Sequence, residues 1–220
     1  MSPSAGARSY SQYCPVAKAL DVLGERWTLL VVRDLMLGPK RYTDLREGLP
    51  GIATDLLTAR LRALEAAGFV ARRELPRPAP ATVYELTDSG QGLALLILVI
   101  GHAGLRLLGA PAEDEDVRAE RVVLSLRVSF RPGEAAGTSD TYGLEIDGEP
   151  FTITVADGSL DIAKASAEDP AMRLTTDGRT LVGLLMGQVS GADALASGAA
   201  TLEGRRGALE RFLKVFGYPS

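Results

Sequence analysis

One segment constrains the fold of this chain more than any other: residues 42–86 combine two helix patterns, a tight turn and two strand patterns. "YTDLREGLPG" predicts a short helix with Thr43 as its N-cap and Pro50-Gly51 as its stop. Residues 53–67 predict a second helix, because three leucines recur on one helical stripe. "FVARREL" and "TVYELT" predict two strands joined by the proline-rich "PRPAPA". This order is typical of a helix-turn-helix that is followed by a hairpin wing.

Apolar periodicity predicts three further helices around this segment, at about residues 15–23, 26–37 and 89–108. Pro15 suits the first turn of the first helix, and Gly24 closes it. Thr87 or Asp88 caps the last helix. Residues 13–109 are therefore expected to form a mainly-α winged helix-turn-helix domain, after a polar N-terminal tail at residues 1–12.

The counts of reactive residues argue against most kinds of catalytic site. The chain has one cysteine, Cys14, and one histidine, so neither an intramolecular disulfide nor a zinc site of clustered Cys and His is available. The histidine, His102, lies in an apolar helix without a nearby Asp or Ser for a triad. The same helix has too short an unbroken apolar run to span a membrane. We expect a cytoplasmic protein that is not an enzyme, needs no cofactor or metal, and contacts no membrane.

Charge is distributed unevenly along the chain. Residues 1–109 carry 13 Lys and Arg against 10 Asp and Glu, a net charge of +3, whereas residues 110–220 carry 11 against 18, a net charge of −7. A basic half and an acidic half indicate two different roles. Between them, "GAPAEDEDVRAE" has a proline, an acidic cluster and no apolar periodicity, which predicts a linker at residues 110–121.

The second half predicts an α+β domain over residues 122–217. "VVLSLRVSF", "TYGLEI", "FTITV" and "LDIA" alternate apolar and polar residues, which predicts an antiparallel meander with one buried face. Asp147-Gly148 and Asp157-Gly158 predict two of its hairpin turns. "TTDGRTLVGLLMGQV" predicts a capped helix, "GAATLEG" a further strand, and "RRGALERFLKVFG" a closing helix.

The outer face of the helix at residues 53–67 is small and polar, which suits close approach to a DNA groove. In helix-turn-helix proteins the second helix enters the major groove with its N-terminal residues at the base edges. Threonine and arginine can contact base edges, and arginines around the helix and on the wing can neutralise phosphates. The candidate DNA-binding residues are Arg41, Thr43, Thr54, Asp55, Thr58, Arg60, Arg62, Arg72, Arg73 and Arg77. The alternative is an amphipathic helix with a merely solvated face.

Several motifs in the first half resemble the HxlR family of bacterial winged-helix regulators, which are relatives of the MarR group. In order, these are Cys-Pro, Gly-x-x-Trp, Gly-Pro-x-Arg-Tyr, Leu-Pro-Gly-Ile and Tyr-x-Leu-Thr-x-x-Gly, within residues 13–109. The resemblance implies a dimeric DNA-binding transcriptional regulator whose dimer is formed by the first and last helices of the domain. Ala53 departs from the family, which usually has serine there, and the loss of such a cap costs about 1 kcal/mol. Thr54 is the alternative cap.

Cys14 has two interpretations. Some members of the resembled family sense oxidants through a cysteine at this position, and a helix N-terminus raises thiol reactivity. Alternatively, Cys14 is a small residue that packs in the dimer interface.

The second half resembles the SCP-2 sterol-carrier-like fold over residues 122–217. The resemblance rests on "MRLTTDGRTLVGLLMGQVSGADALASGAATLEGRRGALERFLKVF" and implies an apolar cavity for a lipid-like small-molecule effector. The candidate pocket residues are Leu126, Phe130, Leu181, Leu185, Met186 and Phe212. These side chains could instead simply fill a core. The sequence thus predicts a homodimer that binds double-stranded DNA. The alternative is a lipid-binding carrier whose winged helix makes protein contacts.

Overall fold

The computed structural model describes residues 9–76, 80–205 and 207–218. The chain divides into two compact units, Met1–Ile97 and Leu98–Ser220. This division falls within one helix, so that helix contributes residues to both units, whereas the boundary expected from composition lies later, in the acidic segment.

The first unit is a winged helix-turn-helix, as predicted. Its elements are α1 (Pro15–Leu23), α2 (Thr28–Leu35), β1 (Lys40–Arg41), α3 (Tyr42–Gly48), α4 (Thr54–Ala66), β2 (Val70–Leu75), β3 (Ala81–Leu86) and the first part of α5 (Asp88–Leu105). The antiparallel strands follow the order β1-β3-β2, so the predicted hairpin gains a short third strand through the pairing of Lys40 with Tyr84.

The leucine stripe of α4 anchors the helix-turn-helix. Leu57, Leu61 and Leu64 are buried, in one apolar core with residues of α2 and α3. Between α3 and α4, Gly51 has a φ of +87°, which suits glycine because it has no Cβ. The tight turn and the buried stripe together present the opposite side of α4 to solvent.

Two predicted helix ends differ from the structure, and one predicted cap is confirmed. Thr43 is not the N-cap of α3, because the N-cap is Arg41, two residues earlier, whose backbone N–H donates to Asp44 Oδ2 at 2.9 Å. Thr87 does cap α5, since its hydroxyl accepts from the N–H of Gly90 at 3.1 Å. That helix ends at Leu105 rather than at residue 108.

Among the described residues, α5 is the one helix that by length and composition could cross a membrane, contrary to the expectation from its short unbroken apolar run. Its buried side belongs to a globular core, because Leu93 and Ile97 pack on the apolar core of the first unit.

The second unit is a mixed five-stranded sheet with helices. Besides the last part of α5, its elements are α6 (Ala119–Ser129), β4 (Ser139–Ile146), β5 (Glu149–Ala156), β6 (Ser159–Ala163), β7 (Met172–Thr176), α7 (Gly178–Leu185), α8 (Gly191–Ala196), β8 (Ala200–Gly204) and α9 (Ala208–Phe216). The strand order is β6-β5-β4-β7-β8.

Two predictions for this unit are wrong. All of "VVLSLRVSF" except its last residue lies in helix α6, because burial of Val122, Val123, Leu126 and Ser129 follows a spacing of three and four residues, which an alternating pattern hides. The sheet is not a simple meander, because β7 pairs in parallel with β4. Neighbours across the sheet therefore come from distant parts of the sequence.

Both predicted hairpin turns are confirmed. Asp147 and Gly148 have φ values of +53° and +78°, and Asp157 and Gly158 have +48° and +75°. Two consecutive positive φ angles define the turn that suits the twist of a tight hairpin. The predicted capped helix is α7, where the Asp177 carboxylate accepts from the N–H of Thr180 at 2.9 Å.

The segment predicted as a linker is held by the second unit. The Arg179 guanidinium donates to the carbonyl oxygens of Pro111, Glu113 and Glu115 at 3.3, 3.1 and 2.7 Å. Helix α6 begins at Ala119, before the end of the predicted linker, and three charge-assisted hydrogen bonds fix the path of the backbone that precedes it.

Candidate nucleic-acid interface

Helix α4 begins without a side-chain cap. Ala53 occupies the N-cap position with extended backbone, and Thr54 is the first helical residue. Thr54 is exposed, and within the described part of the chain its hydroxyl makes no hydrogen bond. The carbonyl of Thr54 accepts from the Tyr42 hydroxyl at 3.0 Å. Tyr42 therefore fastens the start of α4 to the start of α3, a contact that sequence reasoning missed, while the N–H groups of the first turn have no side-chain cap. The exposed Thr54 side chain stays available to a partner.

The exposed face of α4 carries three of the predicted contact residues. Thr54, Asp55 and Arg62 are exposed, whereas Thr58 is half-buried. The Thr58 hydroxyl donates to the carbonyl of Thr54 at 3.0 Å, and its oxygen lies 3.3 Å from the Tyr42 hydroxyl. The hydroxyl proton of Thr58 is therefore engaged within the helix.

Arg60 has different surroundings from Arg62. Its Nη2 lies 2.7 Å from Glu25 Oε2, and its Nε donates to the carbonyl of Arg26 at 3.1 Å. The side chain is 17% exposed. The structure therefore brings Arg60 to the turn between α1 and α2 rather than to the exposed face of α4.

Two further candidates lie at the N-terminal end of α3, the first helix of the helix-turn-helix. Arg41 and Thr43 are both exposed. Backbone N–H groups at a helix start favour anions such as phosphate, so this position suits contact with a DNA backbone.

The wing carries two exposed arginines on β2, and each has an acidic neighbour. Arg73 Nε donates to both carboxylate oxygens of Glu85, at 2.9 and 3.0 Å, and this hydrogen bonding raises the pKa of the Arg73 guanidinium. Arg72 lies 3.5 Å from Glu74. A phosphate would compete with these carboxylates, so the wing offers less free positive charge than its arginine count indicates. Arg77 lies outside the described residues.

Helices α1 and α5 expose apolar side chains. Val16 and Leu20 are exposed on α1, and Leu95 and Val99 on α5, the last two at 70% and 69%. Exposed apolar surface of this kind is typical of an association site.

Cys14 is the N-cap residue of α1, is half-buried, and makes no side-chain cap with its thiol.

The predicted pocket residues of the second unit pack in its core. Leu126, Leu181, Leu185 and Phe212 are buried, whereas Phe130 and Met186 are half-buried. Three phenylalanine rings contact one another here. The ring centroids are 4.7 Å apart for Phe212 and Phe216, both on α9, and 5.7 Å apart for Phe216 and Phe130.

A buried polar group also lies in the second unit. Burial and the neighbouring Asp140 raise the pKa of Tyr142 to about 12. Asp140 in turn contacts Arg205 and Arg211 at 3.2 and 3.3 Å, so its charge is compensated. Among the described residues, no group of three His, Cys, Asp or Glu side chains could hold a metal ion.

Comparison with known proteins matches the two halves separately. The HxlR-like helix-turn-helix family matches residues 22–108, and the alkyl sulfatase C-terminal family matches residues 117–220. The chain is 36% identical over 88 residues to the HTH-type transcriptional regulator YvaP of Bacillus subtilis, covering 40% of this chain and 82% of that protein. It is 38% identical over 81 residues to the regulator YodB of the same species, covering 36% and 72%.

A solved structure similar to the first half is that of the redox regulator HypR in its oxidised form. It has 35% identity and a TM-score of 0.39, and the match covers 41% of this chain and 94% of that one. The curated relatives are HTH-type transcriptional regulators, and the match covers at least two thirds of the length of both YvaP and YodB. This chain belongs to the HxlR-like helix-turn-helix family of transcriptional regulators.

Proposed function

We propose that the chain is a homodimeric transcriptional regulator that binds a pseudo-palindromic duplex through α4 and the β2–β3 wing. The observation that carries the proposal is the exposed side of α4. Thr54, Asp55 and Arg62 lie exposed there, while the leucine stripe anchors the other side. A rigidly anchored helix with short polar residues at its start can enter a major groove closely.

The proposed division of labour follows the chemistry of the side chains. Arg62 can donate two hydrogen bonds to a guanine edge, Asp55 can accept from a cytosine amino group, and the Thr58 methyl can contact a thymine methyl. Arg41, Thr43, Arg72 and Arg73 supply phosphate contacts, which position the protein without reading sequence.

Homodimer formation is proposed to use the exposed apolar sides of α1 and α5. Val16, Leu20, Leu95 and Val99 are large apolar residues exposed to solvent in the single chain. Their burial against a second copy would remove this surface from water. A two-fold axis would then place the two α4 helices in successive major grooves, about 34 Å apart.

The second unit is proposed to be an SCP-2-like domain that takes an apolar effector and has no catalytic role. Support comes from the burial of Leu126, Leu181, Leu185 and Phe212 in one unit and from the half-burial of the other two predicted pocket residues, Phe130 and Met186. A ligand alters DNA affinity only if it binds the DNA-competent and incompetent arrangements unequally. Isothermal titration calorimetry with fatty acids and alkyl sulfates tests this part directly.

Oxidation of Cys14 is the second proposed control. Two copies of Cys14 at a shared dimer interface could form an intersubunit disulfide. Duplex binding would then change with oxidant in the wild type and not in Cys14→Ser. An equal response of both proteins would remove this control from the proposal.

Selection of bound duplexes from a random pool tests the function as a whole. The proposal expects an enriched inverted repeat with half-sites one helical turn apart. Enrichment of no sequence, together with binding of apolar ligands, would instead favour a carrier protein whose winged helix contacts proteins.

A further inference from the structure

We infer that Arg60 is a positioning residue, which fixes the angle of the reading helix α4 against the turn between α1 and α2 and does not itself contact DNA. The inference rests on the proposed role of α4 in DNA binding. It assigns a different task to an arginine that would otherwise be counted among the DNA contacts.

The first step of the argument is helix geometry. Arg60 and Arg62 are two residues apart, so they project about 200° apart around α4, on nearly opposite sides. Arg62 lies on the exposed side with Thr54 and Asp55. Arg60 therefore lies away from the side that would meet a groove.

The second step is the set of contacts that Arg60 makes. The guanidinium pairs with the Glu25 carboxylate at 2.7 Å and donates to the carbonyl of Arg26 at 3.1 Å. The forked guanidinium thus joins two groups of one turn at once, which a lysine ammonium could do with less directional restraint. The Arg60 side chain is 17% exposed and the Glu25 side chain 40%, so the pair is partly shielded from solvent.

The third step is the conformation of the turn that Arg60 holds. Trp27, the N-cap residue of α2, has a φ of +78°, a left-handed conformation that is rare for a bulky residue. Such a residue persists when its surroundings fix it. The Arg26 guanidinium lies 5.5 Å from the centre of the Trp27 ring, and the Arg26 carbonyl is held by Arg60.

The consequence is a direct link between the reading helix and the helix that begins the domain. α1 ends at Leu23, immediately before this turn, and carries part of the exposed apolar surface proposed for the dimer. By fastening α4 to the end of α1, Arg60 sets the direction in which each copy presents its reading helix. Without the link, α4 can adopt more orientations, and only a fraction of the molecules has the orientation that binds DNA. The apparent affinity falls in proportion to that fraction.

The test uses three full-length variants: Arg60→Met, Glu25→Gln and the double variant that combines these two substitutions. The matched control is Arg62→Met, which removes the arginine on the exposed side of α4. Affinity for the selected duplex and for a random duplex is measured at several salt concentrations, and thermal unfolding shows whether each variant is folded. We expect Arg60→Met to weaken specific binding roughly three- to tenfold, with an unchanged dependence of log K on log salt. Glu25→Gln should weaken it in the same direction, and the double variant should be no weaker than Arg60→Met alone.

Three results would overturn the inference. A salt slope that falls by about one in Arg60→Met would show a phosphate contact. Unchanged affinity in Arg60→Met, or in Glu25→Gln if Arg60→Met does not fold, would show that the link has no effect. Additive losses in the double variant would show that the two residues act separately. If the wild type binds no duplex specifically, the proposed function fails rather than this inference.

Discussion

At the scale of single residues, Arg62 is the side chain of α4 with the clearest freedom to read a base. It is exposed on the same side as Thr54, away from the buried leucines. We expect Arg62→Ala to weaken specific binding by about 1–3 kcal/mol and to relax the preference at one base pair. Competition binding against duplexes mutated at each position measures both effects. Arg118→Ala, an exposed arginine of the second unit, should leave affinity unchanged; equal loss in both variants would mean that Arg62 acts only through net charge.

Tyr142 gives a prediction about pH. Its pKa is raised to about 12 in the folded protein, from an ordinary value near 10, chiefly by burial. The folded state therefore holds this proton more tightly, so its contribution to stability is complete below pH 10 and is lost as pH rises from about 10 to 12. Urea unfolding across this range should show falling stability, and Tyr142→Phe should show a shallower fall. The same pH dependence in both proteins would contradict this assignment.

The sequence predicted which residues of α4 are buried, because leucine spacing is a local property of the chain. It could not predict the partners of Arg60, since Glu25 and the Arg26 carbonyl are more than thirty residues away. Ala53 was recognised as a missing cap, yet the substitute was not Thr54. The Tyr42 hydroxyl does not cap the helix either, because it donates to the Thr54 carbonyl and leaves the first N–H groups uncapped. It fastens the start of α4 to α3, through a contact that only the folded helix-turn-helix creates.

At the scale of elements, the cap of α7 is the clearest local contribution to stability. Asp177 accepts hydrogen bonds from both the backbone N–H and the hydroxyl of Thr180, at 2.9 and 2.6 Å. Burial opposes the ionised form, but these and other backbone hydrogen bonds outweigh it and lower the pKa of the carboxyl group. We expect Asp177→Ala to reduce the free energy of unfolding by about 1 kcal/mol, within the range measured for N-caps. Chemical denaturation measures the change. Asp114→Ala, in the exposed acidic segment, is the control and should be neutral; equal stability of the two variants would show that the cap contributes little.

The elements also show where periodicity is sufficient and where it is not. The hairpin turns were predictable because Asp-Gly pairs adopt positive φ angles at two successive residues. Helix α6 was not predictable, because its valines and alternating polar residues match a strand pattern, whereas the burial of its residues follows a helical spacing. The parallel pairing of β4 with β7 depends on a crossover between distant segments, which no local pattern records.

At the scale of the whole molecule, dimer formation is the next prediction. Leu95 and Val99 are the most exposed apolar residues within α5, on one side of the helix. We expect Leu95→Glu with Val99→Glu to convert a dimer to a monomer in sedimentation equilibrium, because burying two carboxylates in an apolar interface is unfavourable. Affinity for the inverted repeat should fall much more than affinity for a single half-site.

Leu195→Glu is the matched control for the dimer prediction, because Leu195 is an exposed apolar residue on α8 in the second unit. It should leave both the mass and the affinity unchanged. A dimer that persists in the α5 double variant would show that the interface lies elsewhere on the molecule.

The salt dependence of specific duplex binding tests the central claim most directly, because counterion release requires phosphate contacts. The measurement is the affinity of the full-length protein for a selected inverted repeat and for a random duplex, between about 50 and 200 mM salt. The account predicts specific affinity that falls linearly on logarithmic axes with a slope of several units, and a preference for the selected duplex at every salt concentration. Binding that does not depend on salt, or that is equal for both duplexes, would contradict it.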